Sequence, residues 1–499
     1  MKLARLLAAA GLDDRGAGEA EVTGFAIDHR KVAPGTVFGA FQGARVNGED
    51  FISDAVQAGA VAVVARPEAQ VEGVLHVADA NPRRAFAQLA ARFFTPVPPT
   101  IVAVTGTNGK TSTVEMTRQI WRMAGERAAS IGTLGVTTPD ESVSTGLTTP
   151  DIVTFLGNLS GLAREGVTHV AFEASSHGLT QYRNEGVRPQ AVAFTNLSRD
   201  HLDYHADMED YFSAKMRLFD EVAADGGTAV VWMGPDHDTG PDEWALRAIE
   251  HAEVRGLKLM TVGEGGETIR LAAREATQLG QALTIEQAGE TRKIALPLIG
   301  AYQAANALVA AGLALATGIA PLQVWDALAR LQPVRGRLER AAITPSGAPI
   351  YVDYAHTPDA IEAAIAALRP HVRVRLITVL GAGGDRDHGK RAPMGRAAAA
   401  GSSLVIVTDD NPRGEDPATI RAQVLLGAGD DAREIGDRRE AICAAIAEAG
   451  DGDIVLIAGK GHEQGQIVGS GTEMRILPFD DVTVARECAG GQGSQLGAA

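Results

Sequence analysis

Residues 100–111 read Thr-Ile-Val-Ala-Val-Thr-Gly-Thr-Asn-Gly-Lys-Thr. The β-branched run predicts a buried strand and the glycines a tight loop. Val114, Thr117, Ile120, Trp121 and Ala124 recur at helical spacing before Gly125, so a helix follows. A strand that stops at glycines and restarts as a helix leaves several backbone N–H groups converging on one small space. That space suits a polyphosphate. The helix start is positive, Lys110 adds a point charge, and Thr111 can hold the Mg²⁺ that accompanies ATP. The loop is shorter than the strict P-loop, because Val104 stands where the first glycine would fall. Gly106, Thr107, Asn108, Gly109, Lys110, Thr111 and Ser112 are the candidate ATP-binding groups. A plain glycine turn with a surface lysine is the competing explanation, and the flanking strand and helix disfavour it.

At 499 residues the chain is too long for one core and suggests about three domains. The formal charge of −16 disfavours a nucleic-acid partner, so positive charge for anionic substrates must be concentrated locally. Cys443 and Cys488 lie far apart in sequence and match no metal spacing, which points to a reduced, cytoplasmic setting. The first residues, Met-Lys-Leu-Ala-Arg-Leu-Leu, are interrupted by Arg5 and read as an amphipathic helix rather than a signal peptide. No apolar run reaches membrane-spanning length, so no membrane partner is expected.

Outward from the loop, the chain divides into three units: 1–97, 98–334 and 335–499. Strand-like runs Thr23–Ile27, Thr36–Phe41, Ala60–Val64 and Gly73–Val77, with a helix from Pro82, make a small α/β unit. It ends in Thr95-Pro-Val-Pro-Pro, a linker that cannot continue a helix. Ile101–Thr105, His169–Phe172, Ala191–Thr195 and Thr228–Trp232 alternate with helices, the pattern of a parallel sheet. Residues 255–300 read as a β-rich insertion, and about 301–330 as an alanine-rich helical stretch. In the third unit, four strands lead into polar loops: Asp353-Tyr-Ala-His, Gly381-Ala-Gly-Gly-Asp-Arg, Asp409-Asp-Asn-Pro-Arg and Gly459-Lys-Gly-His-Glu. In an open parallel sheet all four would share the carboxyl edge, where ligands bind. The tail from Gly490 reads as disordered.

Glu173 and His201 fall at strand ends in the sheet that carries the phosphate loop. Carboxylate oxygen and neutral imidazole suit Mg²⁺ there. Tyr211–Phe219 forms an amphipathic helix, on which Lys215 by itself reads as a solvated-face lysine.

Thr105-Gly-Thr-Asn-Gly-Lys-Thr111, Glu173-Ala-Ser-Ser-His-Gly-Leu, Asn196-Leu-Ser-Arg-Asp-His-Leu-Asp and the Ala214-Lys215 helix together resemble the Mur ligase family. The likeness covers roughly residues 22–480. It implies a cytoplasmic, ATP-dependent amide-forming enzyme of peptidoglycan synthesis, monomeric, with three α/β domains. These are a small UDP-binding N-terminal domain, a central parallel-sheet P-loop ATPase-like domain and a C-terminal Rossmann-like amino-acid-binding domain. It further implies that Lys110, His201 and Lys215 are catalytic, that Lys215 is carbamylated, and that Thr111, Glu173, His201 and carbamylated Lys215 organise Mg²⁺. Asn306, Arg337, Asp353 and His356 would join the loop around ATP.

Within the family the chain most resembles members that add meso-diaminopimelate to UDP-N-acetylmuramoyl-L-alanyl-D-glutamate. Asp28 and Arg30 would meet the uridine end; Thr148, Thr149, Ser175, Gln181 and Arg183 would hold the muramoyl-dipeptide. Asp410-Asn411-Pro412-Arg413 resembles the motif that marks diaminopimelate acceptors, with Arg413 forking onto the distal carboxylate. Arg386 would meet a carboxylate, while Gly459 and Glu463 would receive the distal ammonium. The same motif could also be a turn before the helix that Pro417 begins. The chain departs from the family at His29, at Ala44 and at Tyr302-Gln303. Alternatives are the same ligase with L-lysine as acceptor, a folylpolyglutamate-synthase-like ligase, a regulatory P-loop protein and a non-catalytic family member.

Overall fold

Three β-sheets succeed one another along the chain in the computed structural model, which describes residues 1–12, 17–43, 46–138, 140–143, 148–234, 242–278 and 280–490. Ala44 and the tail beyond Gly490 therefore lie outside the described residues. The first sheet holds four parallel strands in chain order: Gly24–Ala26, Thr36–Gly39, Ala60–Ala65 and Leu75–Ala78. Helix Leu3–Ala9 buries Leu3, Leu6 and Leu7, and helix Pro82–Phe93 closes the unit. The proline cluster then runs without regular structure into the second sheet.

Strand Thr100–Thr105 sits in the middle of that second, eleven-stranded sheet. It is parallel to His169–Glu173 on one side and to Ala191–Phe194 on the other. Val102, Ala103 and Val104 are fully buried, which is why the strand reads as one continuous apolar run. The chain lays its next strands to one side of Thr100–Thr105 and later ones to the other, so the sheet's switch point lies just beyond its carboxyl end. Helix Lys110–Met123 packs against the alanine-rich helix Ala301–Ala316, with Trp121 buried and its indole N–H donating to Thr317 Oγ1 at 3.0 Å.

Residues 255–300 are β-rich as expected, and their strands are joined to the central sheet. Lys258–Gly263 continues the parallel sheet, and Ile269–Thr277, Gly280–Gln287 and Glu290–Leu296 extend its edge as an antiparallel meander. Strand Ala128–Gly132 has a composition, Ala-Ala-Ser-Ile-Gly, with little intrinsic strand preference. It is a strand because it is paired to His169–Glu173 and buried throughout.

The third sheet has the order 339–343, 349–353, 454–458, 376–380, 404–407, 433–434. Its four central strands are parallel, so the four polar loops share one edge as expected. A separate hairpin, Gly465–Val468 with Arg475–Pro478, hangs beside that edge. Cys443 and Cys488, expected as unrelated thiols, form a disulfide between helices Arg438–Glu448 and Asp481–Ala489. Distance along the chain was no guide, because both helices cover the same face of the sheet. No helix among the described residues is long and apolar enough to cross a membrane.

Candidate active site

The phosphate loop is shaped by two glycines in conformations closed to other residues. Gly106 has φ 147° and Gly109 φ 86°; a Cβ would stand 1.9 Å from Thr195 Oγ1 at the first and 2.3 Å from Asn306 Oδ1 at the second. Asn196 Oδ1 accepts the Asn108 N–H at 2.9 Å, and Thr195 Oγ1 donates to Asn108 O at 2.6 Å. The loop is thus cross-braced at the switch point. We expect Gly109→Ala to raise the KM for ATP roughly tenfold, from left-handed strain and displacement of Asn306. Steady-state kinetics check this, and an unchanged KM would contradict the fit.

Lys110 curls over the loop and donates to Gly106 O and Thr107 O, both at 2.9 Å. Thr111 Oγ1 donates to Glu173 Oε2 at 3.0 Å and accepts from Arg337 Nη2 at 2.9 Å. Glu173 is held by the Thr133 N–H at 2.7 Å and the Thr133 hydroxyl at 3.1 Å.

Lys215 corrects the expectation drawn from its helix alone. Its side chain is 1% exposed, its ammonium donates to Gly106 O at 2.8 Å, and it lies 4.1 Å above the Tyr211 ring. Burial, with the nearby Lys110 charge, pushes its pKa well below the usual lysine range. Such an amine is driven towards neutrality, the form that can take up CO₂, so the site fits a carbamate. Among the described residues no three His, Cys, Asp or Glu side chains gather into a metal cage. The Thr111 hydroxyl and the Glu173 carboxylate, 3.0 Å apart, instead form a partial set, and His201 stands near enough for the Lys110 and Lys215 charges to weigh on it. That fits Mg²⁺, which keeps water and phosphate oxygens among its ligands.

Burial pushes His201 and His462 down to about 3 and His177 to about 4. In the unfolded chain these rings take up protons near pH 6.5, whereas the folded protein resists until far lower pH. The unfolded state therefore binds more protons in between, and stability falls as the pH is lowered. We expect the thermal midpoint to decline between about pH 6.5 and about pH 4, read by calorimetry. A flat profile would contradict it.

Two neighbouring cavities share a wall, the first of them at the loop. One, of about 550 Å³, is lined by Asn108, Gly109, Ser112, Asn306, Arg337, Asp353 and His356 among others. The other, of about 490 Å³, is lined by Thr148, His201, Arg386, Asp410, Asn411, Arg413, Gly459 and Glu463. Tyr354 and His356 line both. Pro412 lines neither, and its neighbours carry the polar contacts. The Thr107 hydroxyl is turned inward from the loop, 3.3 Å from the Tyr211 hydroxyl. Arg413 holds a left-handed backbone, φ 51°, and its Nη1 donates to Gly384 O at 2.8 Å. Burial, and then the charge of Arg386, lower its pKa.

Thr148, Thr149, Ser175, Gln181 and Arg183 form one connected group. Thr149 Oγ1 is 3.0 Å from Ser175 Oγ, Arg183 Nη2 donates to Gln181 Oε1 at 2.7 Å, and Arg183 Nη1 donates to Thr149 O at 2.8 Å. Thr148 Oγ1 is 3.0 Å from Thr133 Oγ1, whose hydroxyl also bonds Glu173. Asp28 and Arg30 are ion-paired at 2.7 Å in a third cavity of about 610 Å³, where His29 stacks on Phe51 at 4.3 Å. Hydrogen bonds from Arg30 pull Asp28 down to about 2.

Sequence reasoning missed Asp200 and Lys390. Asp200 lies within the quoted Asn196–Asp203 motif, but nothing marked it apart from its neighbours. Lys390 Nζ lies 3.6 Å from Asp200 Oδ1, and His356 Nε2 3.8 Å from Asp200 Oδ2. Burial opposes the Asp200 carboxylate, but His356, His201 and Lys390 outweigh it and hold the pKa well below the usual range. The central and third units are tied here.

Residues 21–94 match the family model described as "Mur ligase family, catalytic domain", 104–314 the Mur ligase middle domain and 336–461 the Mur ligase glutamate ligase domain. The chain is 61% identical over 466 residues to the UDP-N-acetylmuramoyl-L-alanyl-D-glutamate–2,6-diaminopimelate ligase of Zymomonas mobilis subsp. mobilis, covering 93% of this chain and 94% of that one. The ligase of the same name from Bradyrhizobium diazoefficiens is 52% identical, with 92% and 93% covered. A solved structure of such a ligase superposes with a TM-score of 0.67 at 33% identity, covering 94% of this chain and 95% of its own.

Proposed function

This chain belongs to the Mur ligase family, and on that premise we propose that it joins meso-diaminopimelate to UDP-N-acetylmuramoyl-L-alanyl-D-glutamate at the expense of ATP, in peptidoglycan synthesis. The observation that carries the proposal is the shared wall between two cavities. The face that holds Arg337, Asn306 and the phosphate loop abuts one in which Thr148, His201 and Arg413 converge.

A carboxylate is a poor electrophile because amide formation would require expelling oxide. The γ-carboxylate of the D-glutamyl residue attacks the γ-phosphorus of ATP, the bond to ADP breaks, and an acyl phosphate forms. The amine of diaminopimelate adds to the carbonyl and loses a proton, and phosphate departs as the tetrahedral intermediate collapses. Such chemistry needs positioning and charge stabilisation above all. Lys110 and the loop N–H groups hold the β- and γ-phosphates, and Arg337 serves the nucleotide from the third unit. Thr111, Glu173, His201 and Lys215 as its carbamate would hold Mg²⁺, which when bound offsets charge on the transferring phosphate. Asp28 and Arg30 receive the uridine end; Thr149, Ser175, Gln181 and Arg183 direct the dipeptide towards the loop. Arg386 and Arg413 align the incoming amino acid. The units 1–97, 98–334 and 335–499 thus take the UDP moiety, ATP and the amino acid respectively, and contacts such as Asp200 with Lys390 draw the last two together to exclude water.

On this reading the protein acts as a monomer in the cytoplasm on small anionic substrates, and its net charge of −16 disfavours a nucleic-acid partner. The test is purified protein with ATP and the UDP-muramoyl-dipeptide, offered meso-diaminopimelate or L-lysine, with phosphate release and product mass followed. Release that requires diaminopimelate is expected. Release with lysine alone, or with no acceptor, would overturn the assignment.

A further inference from the structure

Strand Ile454–Ala458 ends in Gly459-Lys460-Gly461-His462-Glu463, and Lys460 is the fully buried cation of that loop. Its side chain is 0% exposed and lies behind the wall of the acceptor cavity rather than in it. The ammonium donates to Asn411 Oδ1 at 2.9 Å and to Glu463 Oε2 at 3.1 Å, and lies 3.5 Å from Asp410 Oδ1. Its three protons are thus directed at protein oxygens. Asn411 closes the circuit. Its Nδ2 donates to the same Glu463 oxygen at 2.7 Å, and its Oδ1 also accepts the Ile467 N–H at 2.9 Å. One buried cation thereby joins two strand-end loops and the start of the hairpin Gly465–Val468.

We propose that Lys460 is a positioning residue for the acceptor: it anchors one oxygen of Glu463, turns the other to the cavity, and leaves the site with the charge one ammonium needs. Two carboxylates side by side, Asp410 and Glu463, would repel each other and swing apart. With Lys460 between them the group carries a single net negative charge, which matches the distal ammonium of diaminopimelate. Among the described residues Glu463 Oε1 receives no hydrogen bond, while Oε2 receives two. This inference rests on the diaminopimelate assignment above.

The experiment is steady-state kinetics of Lys460→Met with each substrate varied in turn. The KM for diaminopimelate is expected to rise about tenfold, because removing one partner leaves buried charge uncompensated. The KM values for ATP and the UDP-muramoyl-dipeptide should stay within about twofold, a split that a merely structural role would not produce. The pair Lys460→Met and Glu463→Gln should be no worse than Glu463→Gln alone, since Lys460 acts through Glu463. An unchanged KM for diaminopimelate, equal losses for all three substrates, or additive losses in the pair would overturn the proposal. Should Lys460→Met fail to fold, Lys460→Gln is read for the same split, and loss of the fold in both assigns Lys460 to structure and sinks the idea. Wild-type protein that turns over no diaminopimelate would defeat the functional assignment and this inference together; an active wild type with an indifferent variant defeats the inference alone.

Discussion

Lys215→Ala is expected to lower turnover by roughly a thousandfold, the scale on which a group organising a transferring phosphate is felt. The location of the side chain accounts for so large an effect. It is buried against Gly106 O, the carbonyl of the first loop glycine, and over the Tyr211 ring. A charged lysine is ill suited to that place, because burial and the neighbouring Lys110 both oppose its proton. A neutral amine can add CO₂ and, on losing a proton to solvent, become an anion with two oxygens, reversing the charge beside Lys110. Alanine forfeits those oxygens. Short carboxylates added to the Lys215→Ala enzyme should therefore recover part of the activity. A variant that keeps substantial turnover, indifferent to bicarbonate and to added carboxylate, would rule out the carbamate. ATP binding by the variant should persist, since Lys110 and the loop amides are untouched, and this separates lost chemistry from lost fold.

The second large effect falls on the acceptor. Arg413→Ala should raise the KM for diaminopimelate roughly a hundredfold and erase the preference over L-lysine, as expected when one partner of a charge-assisted pair is removed. Lysine lacks the distal carboxylate that the guanidinium would grip, so its use should change little. The geometry favours a fork. Arg413 is anchored through Nη1 to Gly384 O, and Arg386 lies close enough for its charge to weigh on Arg413. Two adjacent cations repel each other until an anion arrives. Arg413→Lys keeps the charge but loses the planar fork, and should recover only a small part of the selectivity. An unchanged KM for diaminopimelate in Arg413→Ala would remove Arg413 from the acceptor site.

Much of the site was legible because its chemistry is local. The loop from Gly106 to Thr111 lies between a strand and a helix that its own sequence specifies, and the four polar loops of the third sheet each follow an apolar strand. Strand order needed no foresight there, since parallel strands put their carboxyl ends on one edge whatever their sequence in the sheet. The Asp409–Arg413 segment is the turn that precedes helix Pro417–Ala428, and its Asp410, Asn411 and Arg413 line the cavity that also holds Arg386 and Glu463.

Other features had no local signal. Lys215 looks like a surface lysine on its helix and is buried because the phosphate loop packs over it. The Ala128–Gly132 strand exists through pairing, the Asp200–Lys390 contact through the approach of two units, and the Cys443–Cys488 bridge through two helices meeting. Local order along the backbone, set by side-chain sterics and the spacing of apolar residues, determined the elements and the loops that end them. Burial, desolvation and charge pairing between segments hundreds of residues apart belong to the folded whole, because the dielectric surroundings of a side chain are made by its neighbours in space.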